Sequence, residues 1–363
     1  MLSRSLLLKC LVMAIIPVLT GCDAKSTATS KGKKADDSPH LTVAQKAAAQ
    51  NLKPTKDPVC EEIYAYRQQT RARYNSRRFD ELEKEAAEVR AAKSAFDNGS
   101  RKLVQFYDSF ECSSKEPEGM WQLHDKIHRE WIEKFPQSIT ARVAYAGFLT
   151  DYAWHARGTG YADSVTKEGW RLFGERLEAA RKVLEEAQNL PEKDPCWYMV
   201  AFRVALGQSW DETVYAHLAE KATAFDPKFW GFDVQRAYSL LPRWFGHPGE
   251  WESYAEDAAA RPDGLGAEIY ARIVMSNWNR YDNIFNDTRI FWPKTRDGLT
   301  IILQKYPRSF EFKNLAARLA GLADDREFAR KMFDQLGDTY YVPTWKKPEV
   351  FVHCRTWAET GNR

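Results

Sequence analysis

Apolar residues recur every three or four positions along the chain after Asp57, and convincing runs of two-residue alternation are absent. Side chains with this spacing share one face of an α-helix, whereas alternation would indicate a half-buried strand. The pattern therefore predicts an all-α body. The predicted helices cover residues 61–74, 79–96, 103–110, 120–135, 139–153, 168–189, 197–206, 211–225, 230–240, 250–260, 267–277, 297–305, 310–319 and 326–336.

Prolines separate these helices with a recognisable rhythm. They occur at positions 136, 195, 227, 262, 307 and 343, where each disfavours helix at the residue before it and suits the first turn of the next helix. Intervals of 32, 35 and 36 residues lie close to the length of a tetratricopeptide helix pair, roughly 34 residues. We predict a helical-hairpin repeat array, a tetratricopeptide-like solenoid, over residues 58–343. Loop insertions are expected at 155–165 and 278–294, and the tail 344–363 is expected to pack on the array.

Several segments resemble a bacterial family of tetratricopeptide-like proteins that is catalogued only as a domain of unknown function. They are residues 78–82 (RFDEL), 102–107 (KLVQFY), 152–162 (YAWHARGTGYA), 240–244 (LLPRW) and 248–251 (PGEW). The resemblance covers roughly residues 77–260. It implies the helical-repeat fold and carries no known catalytic residues.

The N-terminus has the order of an export signal. Arg4 and Lys9 precede the apolar run 10–19 (CLVMAIIPVL), which is too short to cross a bilayer as a helix. The following residues 19–22 (LTGC) resemble a bacterial lipobox, which implies cleavage before Cys22 and lipidation of its thiol and amine. An ordinary signal peptide with an incidental cysteine is the alternative. Asp23 resembles the signal that retains a lipoprotein in the inner membrane.

These features predict a membrane-anchored lipoprotein on the periplasmic side of a bacterial envelope, with residues 1–21 as signal peptide. Residues 22–57 are poor in aromatic and branched apolar side chains, which predicts a disordered tether. Across the full chain, 53 basic residues nearly balance 50 acidic ones. This near-neutral charge argues against a surface that coats nucleic acid.

Four cysteines remain in the predicted mature body, and an oxidising compartment favours disulfides between them. We favour a bond between Cys60 and Cys112, which flank the N-terminal helical section. Cys196 with Cys354 then follows by elimination. Buried thiols without a disulfide are the alternative, since none of the spacings is a CxxC pair.

No motif in the sequence indicates a cofactor or a metal. His124 and His128 have the spacing of a HExxH zinc motif, but Asp125 replaces its glutamate and no third ligand follows. Both lie near the predicted core stripe of Met120, Leu123, Ile127, Trp131 and Phe135, which predicts partly buried, hydrogen-bonded histidines. The glycines at 158 and 160 follow a helix and lack the lysine of a phosphate loop, so we predict no nucleotide site.

Two segments are rich in the arginine and aromatic residues that dominate binding hot spots: residues 155–165, with Trp170 just beyond, and the corner at residues 241–251. They contain the predicted partner-binding residues Arg157, Tyr161, Trp170, Arg243 and Trp244, with both arginines expected to be exposed. The predicted function is a membrane-tethered scaffold that binds a peptide or protein of the envelope. The alternative is an envelope hydrolase acting on peptide or glycan, with acids near Glu168 or Glu250. Two carboxylates facing each other in a closed pocket would favour the hydrolase.

Overall fold

The computed structural model describes residues 41–158, 160 and 162–362, and it confirms the predicted all-α fold. Within these residues the β-structure is a short parallel ladder between β1 (Lys53–Pro54) and β2 (Thr339–Tyr340) and an isolated antiparallel bridge between Ala95 and Arg101. Short 3-10 helices occur at Ala162–Ser164 and Trp278–Arg280. The α-helices are α1 (Val43–Asn51), α2 (Pro58–Asn75), α3 (Phe79–Ala92), α4 (Lys102–Asp108), α5 (Glu118–Lys134), α6 (Ile139–Arg157), α7 (Lys167–Gln188), α8 (Pro195–Gly207), α9 (Glu212–Phe225), α10 (Trp230–Ser239), α11 (Glu250–Ala260), α12 (Ala267–Asn277), α13 (Ile284–Asp287), α14 (Trp292–Lys305), α15 (Phe310–Leu322), α16 (Arg326–Leu336), α17 (Val342–Trp345) and α18 (Pro348–Thr360).

The helices form two compact units. Within the described residues, the first unit comprises Ala65–Ala95 and Arg101–Tyr254. The second comprises residues 41–64, Phe96–Ser100 and residues 255–362, so it combines segments from both ends of the chain. Successive helices pack against each other in both units. Examples are α6 with α7 and α8 with α9 in the first unit, and α15 with α16 in the second.

The same proline turn recurs between three pairs of helices. The C-cap residue of the first helix stands directly before the proline, and its backbone N–H donates to the carbonyl four residues earlier. The residue two positions after the proline then donates back to the carbonyl that precedes the proline, at 3.0–3.2 Å. This repeated geometry is the physical basis of the proline rhythm. The turns are Phe135-Pro136-Gln137-Ser138, Asp226-Pro227-Lys228-Phe229 and Tyr306-Pro307-Arg308-Ser309.

The end of the predicted tether is ordered, which corrects the disordered interpretation for its last residues. Helix α1 begins at a capping box in which Thr42 and Gln45 bond each other's backbone N–H. Three consecutive alanines favour the helix, and α1 packs against α18 in the second unit. Packing against α18 thus stabilises a helix whose own sequence has few large apolar residues. The tether residues before position 41 lie outside the described residues.

The predicted disulfides are not formed. Cys60, Cys112, Cys196 and Cys354 are all buried thiols, and no disulfide joins them. The Cys60 sulfur lies 3.7 Å from the Tyr341 hydroxyl oxygen. Burial raises the pKa of Cys196 well above its usual range, with Asp194 adding to the effect. These thiols therefore behave as small apolar core residues.

None of the helices in the described part of the chain is both long and apolar enough to cross a bilayer.

Candidate functional site

Arg157 is buried, with 7% of its surface exposed, so the expectation of an exposed arginine is wrong. Its guanidinium carbon lies 5.6 Å from the Trp154 ring centroid and 5.3 Å from that of Trp170. The same guanidinium donates to the carbonyl oxygens of Gly158 and Gly160, each at 3.2 Å. Arg157 therefore holds the start of the 158–164 loop against α6 and α7.

Of the other predicted partner-binding residues, Trp170 contacts different neighbours from Arg243 and Trp244 and does not form one site with them. Trp170 is 37% exposed and packs edge-on against Phe173. Arg243 and Trp244 both contact Tyr238, whose hydroxyl accepts a 3.0 Å hydrogen bond from Arg243. Both side chains are half-buried, so the 241–249 corner is a packed connection. Tyr161 lies outside the described residues.

The two histidines of α5 belong to an aromatic core. His124 is 8% exposed and His128 is fully buried. Neither ring nitrogen of His128 has a hydrogen-bond partner among the described residues, because its neighbours include the rings of Tyr74 and Phe148 at 5.0 and 5.1 Å. The expectation of hydrogen bonding is therefore wrong for His128. Burial lowers its pKa well below the usual range, so it is neutral.

The buried face of α5 is rotated from the predicted core stripe, so that both histidines lie on it. Its buried residues are Trp121, His124, Ile127, His128 and Trp131. Leu123 is 40% exposed, whereas Trp121 is 1% exposed and stacks on Tyr152. The larger indole occupies the core in place of the leucine. Within the described residues, no group of three His, Cys, Asp or Glu side chains is placed to hold a metal ion.

A concave site of the first unit is a groove between α7, α8 and α9. It encloses about 270 Å³. Side chains of all three helices line it, together with Trp210 from the connection between α8 and α9. We call it the α7–α9 groove; its lining residues are Arg181, Leu184, Glu185, Gln188, Trp197, Tyr198, Ala201, Val204, Trp210, Val214, His217, Leu218 and Lys221.

The α7–α9 groove continues along α7 into a second, more open hollow. Arg181 and Trp210 line both, and the hollow extends to Phe173 near the start of α7. The lining residues of α7 recur at helical spacing between positions 173 and 188. They follow about four turns of the helix, so the two hollows together are roughly 22 Å long.

Fixed aromatic rings give the groove its apolar surface. The indole N–H of Trp197 donates to the Leu184 carbonyl oxygen, and that of Trp210 donates to Gln208, both at 2.9 Å. Since their polar atoms are satisfied inside the protein, the two rings are free to present apolar faces. Rigid tryptophan surface of this kind is typical of binding hot spots.

Two basic residues that line the groove, Arg181 and Lys221, differ in whether they form ion pairs. Arg181 is neutralised by Glu178 and Glu185, at 2.7 and 2.9 Å. Lys221 is exposed and forms no ion pair with any residue that the structure describes. None of the residues predicted from the sequence to bind a partner lines this groove, although the aromatic and basic residues between positions 197 and 221 were a signal for it.

A second polar feature of the first unit is a row of ion pairs across alternate helices. Arg67 of α2 bonds Asp108 of α4 at 2.5 Å, and Arg203 of α8 pairs with Asp151 of α6. The Glu111 carboxyl, just after α4, lies near both pairs. Desolvation by the surrounding helices, together with the charges of Asp108 and Asp151, raises the pKa of this carboxyl to about 8, although the residue is partly exposed. The shift favours the protonated form of Glu111 at neutral pH.

The acids expected for a hydrolase have other roles. Glu168 is exposed and pairs with Arg171 at 2.5 Å, which lowers the pKa of its carboxyl. Glu250 accepts a 2.9 Å hydrogen bond from the backbone N–H of His247 and so stabilises the turn that leads into α11. Neither is one of a facing pair in a closed pocket.

Comparison with known proteins adds no relative. No family model, no curated protein and no solved structure matches this chain, so the resemblance to a tetratricopeptide-like family stays a prediction.

Proposed function

We propose that this protein is a helical-repeat scaffold of a bacterial envelope that binds a helical segment of a partner protein in the α7–α9 groove. The observation that carries the proposal is the groove itself, which three helices line with aromatic, aliphatic and charged side chains. This combination is typical of protein-binding surfaces, in which an apolar centre is surrounded by polar groups.

The dimensions of the groove favour an amphipathic helix as its occupant. A partner helix of about four turns matches the roughly 22 Å over which α7 lines the two hollows. Its apolar side chains, spaced three and four apart, would contact Trp197, Trp210 and Val214. An acidic side chain at its edge would pair with Lys221, whose charge no described residue neutralises.

The cellular location of the scaffold is part of the same proposal. We infer that a lipid on Cys22 tethers the body to a membrane and leaves it on the periplasmic side, with Asp23 favouring the inner membrane. Support comes from the apolar run 10–19 and the lipobox-like residues 19–22. Cys22 lies outside the described residues.

A second candidate function has one observation in its favour. The raised pKa of Glu111 favours its protonated form at neutral pH, which is the form that a general acid needs, and the residue is exposed. Turnover of peptidoglycan fragments by the wild-type protein, lost in Glu111→Gln, would support this alternative. The aromatic groove plays no part in it.

Photo-crosslinking tests the scaffold proposal directly. A benzophenone amino acid replaces Val214, which is 50% exposed in the groove, in the full chain expressed in the native bacterium. The matched control replaces Leu123, an equally apolar position on α5 that is 40% exposed. We expect an adduct from position 214 alone, and mass spectrometry should place the crosslink in a helical segment with apolar residues three and four apart.

Charge reversal then tests the role of the rim. Lys221→Glu should weaken that crosslink at least threefold, whereas Lys182→Glu, an exposed lysine outside the groove lining, should leave it unchanged. Equal crosslinking from positions 214 and 123, or none from 214, would place the partner elsewhere.

A further inference from the structure

The open hollow that continues the α7–α9 groove along α7 contains two glycines. It has a volume of about 440 Å³. Gly174 belongs to the interior of α7, and Gly207 is the last residue of α8. We call this space the glycine hollow; its lining residues are Phe173, Gly174, Leu177, Glu178, Arg181, Gly207, Gln208 and Trp210.

The fold itself explains the glycine at position 207. A Cβ atom added there would lie 2.7 Å from Cδ1 of Leu177 and 3.2 Å from the Trp154 ring, so the end of α8 has no room for a side chain. Gly169, the other glycine of α7, has a similar reason. A Cβ atom there would lie 2.8 Å from the carbonyl oxygen of Ala156. Close packing of neighbouring helices therefore requires both glycines.

Gly174 has no such explanation within the protein. A Cβ atom added there would meet no side chain, and no backbone beyond its own helix, within 4 Å among the described residues. Gly174 is exposed and is the eighth residue of α7, where glycine destabilises a helix relative to alanine. A glycine kept at such a position is typical of a place where a ligand or another chain approaches closely.

The polar groups around the glycine hollow are bonded to one another. The indole N–H of Trp210 donates to Gln208 at 2.9 Å, and the Gln208 amide nitrogen donates to Glu178 at 3.3 Å. Glu178 in turn pairs with Arg181 at 2.7 Å. This chain of bonds engages the rim within the protein, so a charged group entering the hollow would lose water without gaining a dedicated partner. The hollow therefore favours an apolar side chain.

We propose that the glycine hollow receives one bulky apolar side chain of the partner helix, and that Gly174 determines which partners fit. This inference rests on the proposed function and adds the residue type that the site selects. The missing side chain at position 174 leaves the space that the partner's side chain fills, as a knob enters a hole between packed helices. The hollow and the groove share one stripe of α7, at three- and four-residue spacing: Gly174, Glu178, Arg181, Glu185 and Gln188.

Filling the hollow tests the proposal. Gly174→Leu is combined with the benzophenone amino acid at position 214 and should weaken the crosslink at least tenfold, with a smaller loss for Gly174→Ala. Both variants should raise the thermal midpoint of the purified body, by about 2 °C, because alanine and leucine favour a helix and meet no neighbour here. A weaker crosslink from a more stable protein separates a binding role from a structural one.

The matched control is Gly119→Leu on α5. Gly119 is also exposed, and a Cβ atom there likewise meets none of the described residues within 4 Å, but the position is outside the groove and the hollow. This variant should crosslink as the wild type does. In the crosslinked partner segment, replacing the bulky apolar residues by alanine one at a time should restore the crosslink to Gly174→Leu at one position.

The possible failures of the two proposals are distinguishable. Absence of a crosslink from position 214 in the otherwise wild-type chain would overturn the proposed function, and this inference with it. An undiminished crosslink in Gly174→Leu, or an equal loss in Gly119→Leu, would overturn this inference alone. A lowered thermal midpoint in both Gly174 variants would show that the fold requires the glycine, and would also overturn it.

Discussion

At the scale of single residues, buried titratable groups make the stability of this protein depend on pH. His128 is neutral in the folded state, because burial lowers its pKa well below the usual range. His124, one turn earlier, has its pKa lowered by burial and by the charge of Arg71. The ring of Tyr145 stacks on His128. The Tyr145 hydroxyl donates a hydrogen bond to Asp125, and the Arg129 guanidinium lies over the Tyr145 ring.

We predict that His128→Phe removes part of the acid sensitivity of the fold. In the unfolded chain His128 takes up a proton as the pH falls through about 6.5, whereas in the folded protein it does not. The free energy of unfolding therefore decreases below pH 6.5, by up to about 1.4 kcal/mol per pH unit from this residue. Urea unfolding at pH 7.5, 6 and 5 should show a shallower decrease for the variant; parallel curves would contradict the prediction.

Glu311 provides the opposite dependence. Burial and the nearby charge of Asp57 raise its pKa to about 7, well above the value in an unfolded chain. The folded state then holds a proton that the unfolded state has lost, so the stability contributed by the protonated group falls as the pH rises from about 4.5 to 7.

Glu311→Gln should accordingly stabilise the second unit at neutral pH, by an amount on the order of 2 kcal/mol, and have little effect near pH 4.5. Chemical unfolding at both pH values measures this difference. Glu327→Gln, which removes an exposed carboxylate of the same unit, should change stability equally at the two pH values. A Glu311 variant with no pH-dependent gain would show that the carboxyl is well solvated.

At the scale of helices and their connections, Arg157 is an integral part of the α6–α7 pair. We predict that Arg157→Met lowers the free energy of unfolding by about 2 kcal/mol, because the contacts with two indole rings and two carbonyl groups are lost. Thermal unfolding followed by circular dichroism measures the change. Arg171→Met, on the exposed face of α7, should shift stability by less than about 0.5 kcal/mol. Equal changes in stability for the two variants would show that Arg157 contributes no more than an exposed arginine does.

The helices themselves could be predicted because their physical signals are local. Spacing of apolar residues and proline positions recovered most helix bounds to within a few residues, and the three proline turns explain why. The order of α1 could not be read in the same way. Its stability comes from packing against α18, about three hundred positions away, and such contacts leave no mark on neighbouring residues.

The candidate site was less predictable than the helices. Arg157 has the residue type of a hot spot, but only the positions of Trp154 and Trp170 reveal that its charge is already engaged. The α7–α9 groove is built from three helices, and its shape follows from their packing. Trp197 and Trp210 could be noticed in the sequence as aromatic residues, yet the hydrogen bonds that fix their rings are tertiary.

At the scale of the whole molecule, the proposed lipid is the main determinant of location. We predict that Cys22→Ala releases the protein from the membrane fraction or blocks its maturation. Acyl chains bind a bilayer strongly, whereas each basic residue of the tether contributes only about 1 kcal/mol near an anionic surface. Fractionation and mass of the mature N-terminus measure the effect. Normal maturation with unchanged fractionation of the variant would exclude the lipoprotein proposal.

The discontinuous second unit has a consequence for how the chain folds during synthesis. Asp57 accepts hydrogen bonds at the starts of both α2 and α15: Val59 N–H at 2.7 Å, and Glu311 N–H at 2.7 Å. The residues of α1 and β1 likewise find their partners in α18 and β2. Residues 65–254, by contrast, lie almost entirely within one unit. The middle of the chain can therefore fold as soon as it emerges, while the N-terminal segment must wait for the last hundred residues. During that interval residues 41–64 remain open to chaperones and proteases of the compartment in which the protein matures.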